Sequence, residues 1–418
     1  MKSSFRGPFL FILGVTFSGF LFSLHYTKSR ESTNINVASL PTKMRPPENL
    51  IVRPSRISSE AKSQPPSPQP PPTSSEAFRE IEEEELSETP EALEETKKQV
   101  EVKTEVVNNC ECTSESTGKK YDFCYVDPQN SKSVGKKFDC AHLKILEKLH
   151  LVDNSGSFVN LSDPITNENE MVFVSALSDN HFNEGTMSLE HLRKYQPNAK
   201  FIVYGLNLNP MYAKHYDVFK NVEFRPFNTT GYPDYVNQWM TYRFKPLIIA
   251  EVMKEYRNIW WMDAHISVKK PNMSQLLTRE VAEKRKDEKN MTMPSPILFF
   301  IHSSHSNFAV MFPELLSYFP SNSIALLKNE QHGSQLGANT FYVARTELTI
   351  EIFKWWILCA LDEKCMNPPG AQVYCSFKEN RFDYFANCYR FDQSVLNLLL
   401  LNHFQDHHKY YSQLGHLF

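Results

Sequence analysis

The chain has 418 residues, long enough for two or three domains, and its 45 Lys and Arg against 48 Asp and Glu leave a net charge of −3. That balance gives no basic footprint for nucleic acid, and no nucleic-acid partner is expected. Composition is uneven along the chain, and its regions differ in kind.

After Lys2 and Arg6, residues 8–24 read "PFLFILGVTFSGFLFSL", apolar and uncharged. The run is slightly short for an average bilayer but suits thin early-secretory membranes. It predicts a signal-anchor transmembrane helix over 8–25, with residues 1–7 cytosolic and the body lumenal. That is a single-pass type II arrangement in the Golgi or ER membrane. A cleaved signal peptide is the alternative, although "FSLHYTK" lacks the small residues that precede a cut. Residues 26–109 read as a disordered stem. "SQPPSPQPPPTSS" is polyproline-like and "REIEEEELSETPEALEETKK" is a charge run, and neither buries enough apolar surface to fold.

Residues 110–165 form a lead-in containing Cys110, Cys112, Cys124 and Cys140; Cys359, Cys365, Cys375 and Cys388 lie near the C-terminus. An even count in two local groups implies disulfides and an oxidising compartment, with the connectivity open. Sequons at Asn160, Asn228, Asn272 and Asn290 would accept glycans there.

Over 166–418 the pattern becomes that of a folded domain. "MVFVSAL", "AKFIVYGL", "NVEFRPF", "NIWWMDAHI", "SPILFFIH" and "NTFYVAR" read as strands. "TMSLEHLRKY", "RFKPLIIAEVMKEY", "LTIEIFKWWILCALDE" and the segment from Ser394 to Leu401 read as helices. Strands alternating with helices predict an α/β sandwich with a mainly parallel central sheet. Such sheets bind ligands beyond the carboxyl ends of their strands, so polar residues after "MVFVSAL" and "NIWWM" should share one rim.

Those residues are the candidate site. Asp263 and His265, two positions apart at a strand end, could hold a divalent cation against a diphosphate; a pair of loop polar residues is the plain alternative. A carboxylate and an imidazole suit Mn²⁺ better than Mg²⁺. Ser178, Asp179 and Asn180 follow the first strand and could bond a base or ribose. Arg243 and Lys245 precede a helix and could reach phosphate, or could be solvated basic residues. Trp260 and Trp261 read as core or rim packing. Asp392 and Gln393 head an apolar helix, where Asp392 either caps the helix or sits under a sugar. Gly337, Ala338 and Asn339 would let a sugar approach the backbone. His416 reads as a solvent-exposed histidine. No P-loop is present, and no glycine-rich loop follows "MVFVSAL", which argues against a secreted enzyme of another class such as a methyltransferase.

On "FVSALSDNHFNEG", "YRFKPLIIAE", "WWMDAHI" and "YRFDQSVLNLLL", the stretch from Met171 to the C-terminus resembles a nematode-expanded group, domain of unknown function family 1647. More loosely, the chain is similar to glycogenin-like retaining glycosyltransferases of GT-A (Rossmann-like) fold. Tyr242-Arg243, Asp263-Ala264-His265, Gly337-Ala338-Asn339 and Asp392-Gln393 with Leu396 and Asn397 carry that second likeness. It implies a nucleotide-sugar donor, a glycan or glycoprotein acceptor, a Mn²⁺ cofactor and retention at the anomeric carbon. In that scheme Asp263 and His265 hold the metal, Arg243 and Lys245 neutralise phosphate, and Asp392 and Gln393 face the sugar. The chain departs from the pattern at His265 and at the altered turn, and it lacks a C-terminal His-x-x-Gly-x-x-Lys motif. A catalytically inactive lumenal binding or scaffolding protein is the alternative.

Overall fold

The computed structural model describes residues 110–153, 156–159, 171–287 and 295–418. The expected anchor and stem, and the sequons at Asn160 and Asn290, lie outside the described residues. Among those described, no helix is long and apolar enough to cross a membrane.

Two antiparallel pairs open the fold: β1 (Glu111–Thr113) with β2 (Lys120–Asp122), and β3 (Cys124–Asp127) with β4 (Asn130–Lys137). Next come β5 (Met171–Leu177), α1 (Phe182–Tyr195), β6 (Lys200–Gly205), α2 (Pro210–Tyr216) and β7 (Val222–Pro226). After them lie α3 (Phe244–Met253), β8 (Asn258–Met262), α4 (Met273–Asp287), β9 (Ile297–Ser306) and β10 (Ser334–Ala344). The C-terminal part contains α5 (Glu347–Leu361) and α6 (Asp392–Phe404).

Six strands make one sheet in the order β7-β6-β5-β8-β10-β9. β5 pairs in parallel with β6 and β8, β6 does so with β7, and β10 runs antiparallel to both β8 and β9. Interior parallel strands are covered on both faces, which is why "MVFVSAL" and "NIWWM" are nearly unbroken apolar runs. Alternation along the strands divides their side chains between two cores. Val172, Val174, Ala176, Ile259 and Trp261 join one, and Met171, Phe173, Leu177, Trp260 and Met262 join the other.

The first core includes α3, α5 and α6, and the second includes Leu189 and Leu192 of α1 with the C-terminal Leu414 and Leu417. α3 and α6 are apolar almost all round, as helices buried in a core must be. Four disulfides, Cys110–Cys124, Cys112–Cys140, Cys359–Cys365 and Cys375–Cys388, pair each cysteine within its own sequence group. The lead-in is not peripheral: Tyr125 and Phe138 pack on Phe319 and Trp355 inside the first core.

Two features of the sheet position the site. β5 has β6 on one side and β8 on the other, so a crevice opens beyond their carboxyl ends. β10 also loses register with β9 between Gly337 and Phe341 and bulges there. α6 repairs part of this irregularity. Asn397 Oδ1 accepts from the Leu336 backbone N–H at 2.9 Å, and its Nδ2 donates to Leu336 O and Gln393 O, both at 2.9 Å. Asn397→Leu keeps the volume but removes the side-chain partner of the Leu336 N–H and C=O and of the Gln393 C=O. It should cost about 2–4 kcal/mol in denaturant unfolding, with the slope unchanged.

Candidate active site

At the rim, Asp263 leaves β8 with its backbone N–H donating to Asn339 O of β10 at 2.7 Å. Its Oδ1 accepts from Trp261 Nε1 at 2.8 Å and lies 3.1 Å from Lys245 Nζ. Lys245, in the first turn of α3, is buried, with its side chain 3% exposed. Its ammonium also meets Asp392 Oδ2 at 2.9 Å and donates to Ala338 O at 2.9 Å. Three oxygens thus lie within 3.1 Å of Nζ. Rings of Trp261 and Tyr242 lie 5.6 and 5.8 Å from Nζ and add cation–π attraction. Burial alone would lower the Lys245 pKa, but Asp263 and Asp392 together hold it above its usual value.

Asp392 is the first residue of α6 and only 4% exposed. The N-cap position belongs to Phe391, so Asp392 is not the cap that a helix head suggests. Its Oδ2 has the close contact with Lys245 but no well-directed hydrogen bond. Burial pushes its carboxyl up to about 6, against the opposing pull of Lys245. With Asp392 ionised, the trio of Lys245, Asp263 and Asp392 carries a charge of −1 at the rim.

Two cavities share Tyr242, Asp263 and His265 as common walls. The first, about 380 Å³, is lined mainly by apolar and aromatic groups, among them Leu206, Trp239 and Phe244, with Ser178 and Asn180 at hand. The second, about 570 Å³, is bounded by Lys245, Ala338, Asn339, Arg390, Asp392 and Gln393. Tyr242 and Phe391, which flank the ion pair, both have positive φ, 54° and 42°. For bulky residues such conformations cost about 1–3 kcal/mol each and concentrate at functional sites.

Most of the residues singled out in the sequence meet here, and some do not. Ser178, Asn180, His265, Ala338, Asn339 and Gln393 line the cavities. Gln393 is pinned: Oε1 accepts from Ala338 N at 2.9 Å and Nε2 donates to Gln335 Oε1 at 2.6 Å. Arg243 is a correction. Its guanidinium is fully buried and donates to Ala360 O, Asp362 O and Glu363 O, capping the end of α5, while its plane sits 4.7 Å from the Tyr235 ring. Lys245 does line the second cavity, with its ammonium held among Asp263, Asp392 and the Ala338 carbonyl. Asp179 lines neither cavity; its Oδ1 accepts from Asn209 N at 2.7 Å and steadies the start of α2. At Gly337 a Cβ would lie 3.2 Å from Ile301 and 2.7 Å from Asn339 Oδ1, so its missing side chain serves packing. Trp260 and Trp261 are core residues, both 0% exposed, although Trp261 also holds Asp263. Exposed His416 contacts Gln413 O at 3.2 Å and lines neither cavity.

Sequence reading named Tyr242 only within the Tyr242-Arg243 likeness, and it missed Trp239, Phe391 and Arg390 as cavity walls. It also missed Val373, Tyr374 and Phe377, carried by the irregular segment that Cys375–Cys388 ties. Only the local cysteine pair signals that this segment is held in place. Arg390 is the free cation of the second cavity: among the described residues its guanidinium has no acidic partner.

Residues 110–250 match the model of a family described as a protein of unknown function, DUF1647. The match therefore includes the lead-in and stops before Asp263, unlike the span from Met171 to the C-terminus read from the motifs. No curated protein matches the chain. Among solved structures, it is similar to the mannosyltransferase Ktr4p from S. cerevisiae, at 12% identity over 53% of this chain and 71% of that one, with a TM-score of 0.32. It is similar to the galactosyltransferase LgtC, in complex with donor and acceptor sugar analogs, at 12% identity over 55% and 70%, TM-score 0.31. It is also similar to core-mannan synthase A from Aspergillus fumigatus in a Mn/GDP form, at 11% identity over 68% and 81%, TM-score 0.34. Likeness at this level carries no part of the functional reading, which rests on the site.

Proposed function

We propose that the chain is a GT-A-type glycosyltransferase, anchored as a type II protein of the Golgi or ER membrane. It moves a sugar from a nucleotide-sugar donor to a glycan or glycoprotein acceptor. The observation that carries this reading is the pair of cavities meeting at Asp263, one largely apolar and one polar and charged. The first suits a flat base and ribose, bonded by Ser178 and Asn180; the second suits a sugar over Asp392, Gln393 and the Ala338–Asn339 backbone. The diphosphate then lies at their junction, where Arg390 takes the phosphate role that Arg243 cannot fill.

A divalent cation fits this junction in part. Asp263 and His265 would hold it, as one carboxylate and one imidazole, and no third protein ligand joins them among the described residues. Diphosphate oxygens and water would complete the shell. Bound Mn²⁺ would supply charge neutralisation for the leaving diphosphate. Lys245 acts through its neighbours: it fixes both carboxylates and the Ala338 carbonyl in one arrangement. Asp392, ionised, opposes positive charge developing at the anomeric carbon.

This assignment predicts a pH profile. Protonation of Asp392 below about 6 removes the charge it contributes, so turnover should fall about tenfold per pH unit below that point. Because this folded pKa exceeds the unfolded value of about 3.9, the native state takes up a proton between about pH 4 and 6. That group alone therefore favours the fold more as pH falls through the window, and acid loss of activity should precede unfolding. Activity and circular dichroism measured from pH 4 to 8 check both statements.

The topology is tested separately. Asn228 and Asn272 are exposed and accessible to glycan transfer. The expected result is an endoglycosidase-sensitive mass shift and protease protection in sealed microsomes. Cytosolic accessibility of the region beyond Met171 would reverse the topology.

A second reading, an inactive lumenal binding protein, draws support from Asp263, whose Oδ1 is already engaged by Lys245 and Trp261. Incubating the full chain with a panel of nucleotide sugars, with and without Mn²⁺, separates the two. Release of nucleoside diphosphate from one donor supports the transferase; binding of a donor without turnover supports the inactive relative.

A further inference from the structure

Away from this cleft, the turn before β10 meets the short helical turn that follows α6. His332 Nδ1 lies 3.3 Å from Asp406 Oδ2, and His408 Nδ1 lies 2.9 Å from Asp406 Oδ1. The three candidate ligand atoms all fall within 4.8 Å of one another. We propose that His332, Asp406 and His408 bind one divalent transition-metal ion of the Zn²⁺ type, independently of the Asp263 site and of the glycosyltransferase reading.

Several observations converge on this. Zn²⁺ takes imidazole nitrogen at about 2.0–2.1 Å and carboxylate oxygen at about 2.0–2.2 Å, so tetrahedral ligands sit roughly 3.4 Å apart. The observed spacings need only small side-chain shifts to admit an ion. Both histidines present Nδ1 to the same carboxylate, so their Nε2 atoms can carry the proton while Nδ1 coordinates. Each ligand is placed by its own backbone. Asn329 Oδ1 accepts from the N–H groups of Gln331 and His332 at 2.9 and 2.8 Å, and Asp406 Oδ1 accepts from His408 N at 3.0 Å. The two turns are joined by the His407 N–H donating to His332 O at 2.8 Å.

Two nitrogens and one oxygen select Zn²⁺, Ni²⁺ or Cu²⁺ over Mg²⁺, unlike the oxygen-rich shell expected at a diphosphate. A water completes the coordination, since all eight cysteines are disulfide-bonded and none can serve. The ion would clip the C-terminal segment onto the β9–β10 pair. That segment covers the free edge of β9, with Phe299 N donating to Tyr410 O and Ser412 N to Phe299 O.

The test uses the full chain, stripped with EDTA and titrated with Zn²⁺ against a chromophoric chelator. The expected result is one Zn²⁺ per chain, with a Zn²⁺-dependent rise in the unfolding midpoint that Mg²⁺ does not reproduce. Loss of an outer partner of a metal ligand typically weakens binding about 10–100-fold, and loss of a ligand itself, in His332→Ala or His408→Ala, should do at least as much. Asp263→Asn and His416→Ala should bind as the parent does. Unchanged Zn²⁺ affinity in both His332→Ala and His408→Ala would overturn the proposal, as would an equal loss in His416→Ala.

Discussion

Lys245→Met is expected to destabilise the fold by about 3–5 kcal/mol, the cost of removing one partner from a buried ion pair. The substitution keeps most of the side-chain volume, so the loss is electrostatic. It leaves Asp263 and Asp392 facing each other without a cation, and strands the Ala338 carbonyl that Nζ now satisfies. Turnover should disappear with it, because both carboxylates lose their anchor. Lys245→Met combined with Asp392→Asn should recover part of the stability and none of the activity, since the second change removes the uncompensated buried charge. Denaturant unfolding of parent, single and double variants measures this. A cost below about 1 kcal/mol for Lys245→Met, the range of an exposed pair, would show that the trio is not a buried structural unit.

The second large effect is at the strand end. Asp263→Asn retains an acceptor for Trp261 and Lys245 but loses the charge that a diphosphate-bound cation needs. Transfer should fall by ~10²–10³, or about 3–4 kcal/mol, with the fold preserved. His265→Asp replaces a nitrogen donor by a harder oxygen and should strengthen use of Mg²⁺ relative to Mn²⁺. Product formation across Mn²⁺ and Mg²⁺ titrations, for the parent and both variants, checks the pair. Full activity in Asp263→Asn would remove this residue from the chemistry.

Much of the frame was legible because it rests on burial alone. "MVFVSAL" and "NIWWM" are strands covered on both faces, and their apolar runs coincide with β5 and β8. Once the sheet is known to be mainly parallel, Ser178 and Asp263 must emerge at one rim, as they do. What sequence could not resolve was direction. Arg243 and Lys245 are two positions apart at a helix start, so they point to nearly opposite sides. Which of them faces the cleft depends on α5, whose terminal carbonyls claim Arg243, and on Asp392, far along the chain. The apolar pattern of α6 gave its existence but not the pairing of Gln393 and Asn397 with the β10 bulge. Tyr374, Phe377 and Arg390 belong to a segment without periodicity, held by a disulfide, and nothing local marks them as walls of a cavity.

The central claim is that Asp263 stands at the junction of a nucleoside cavity and a sugar cavity. Calorimetric titration of the full chain with UDP and GDP, in the presence and absence of Mn²⁺, tests it most directly. The account predicts that one nucleoside diphosphate binds once per chain, that Mn²⁺ strengthens the binding, and that Asp263→Asn weakens it at least about tenfold. Binding of neither nucleotide to the folded parent, or binding equally tight in Asp263→Asn, would contradict it.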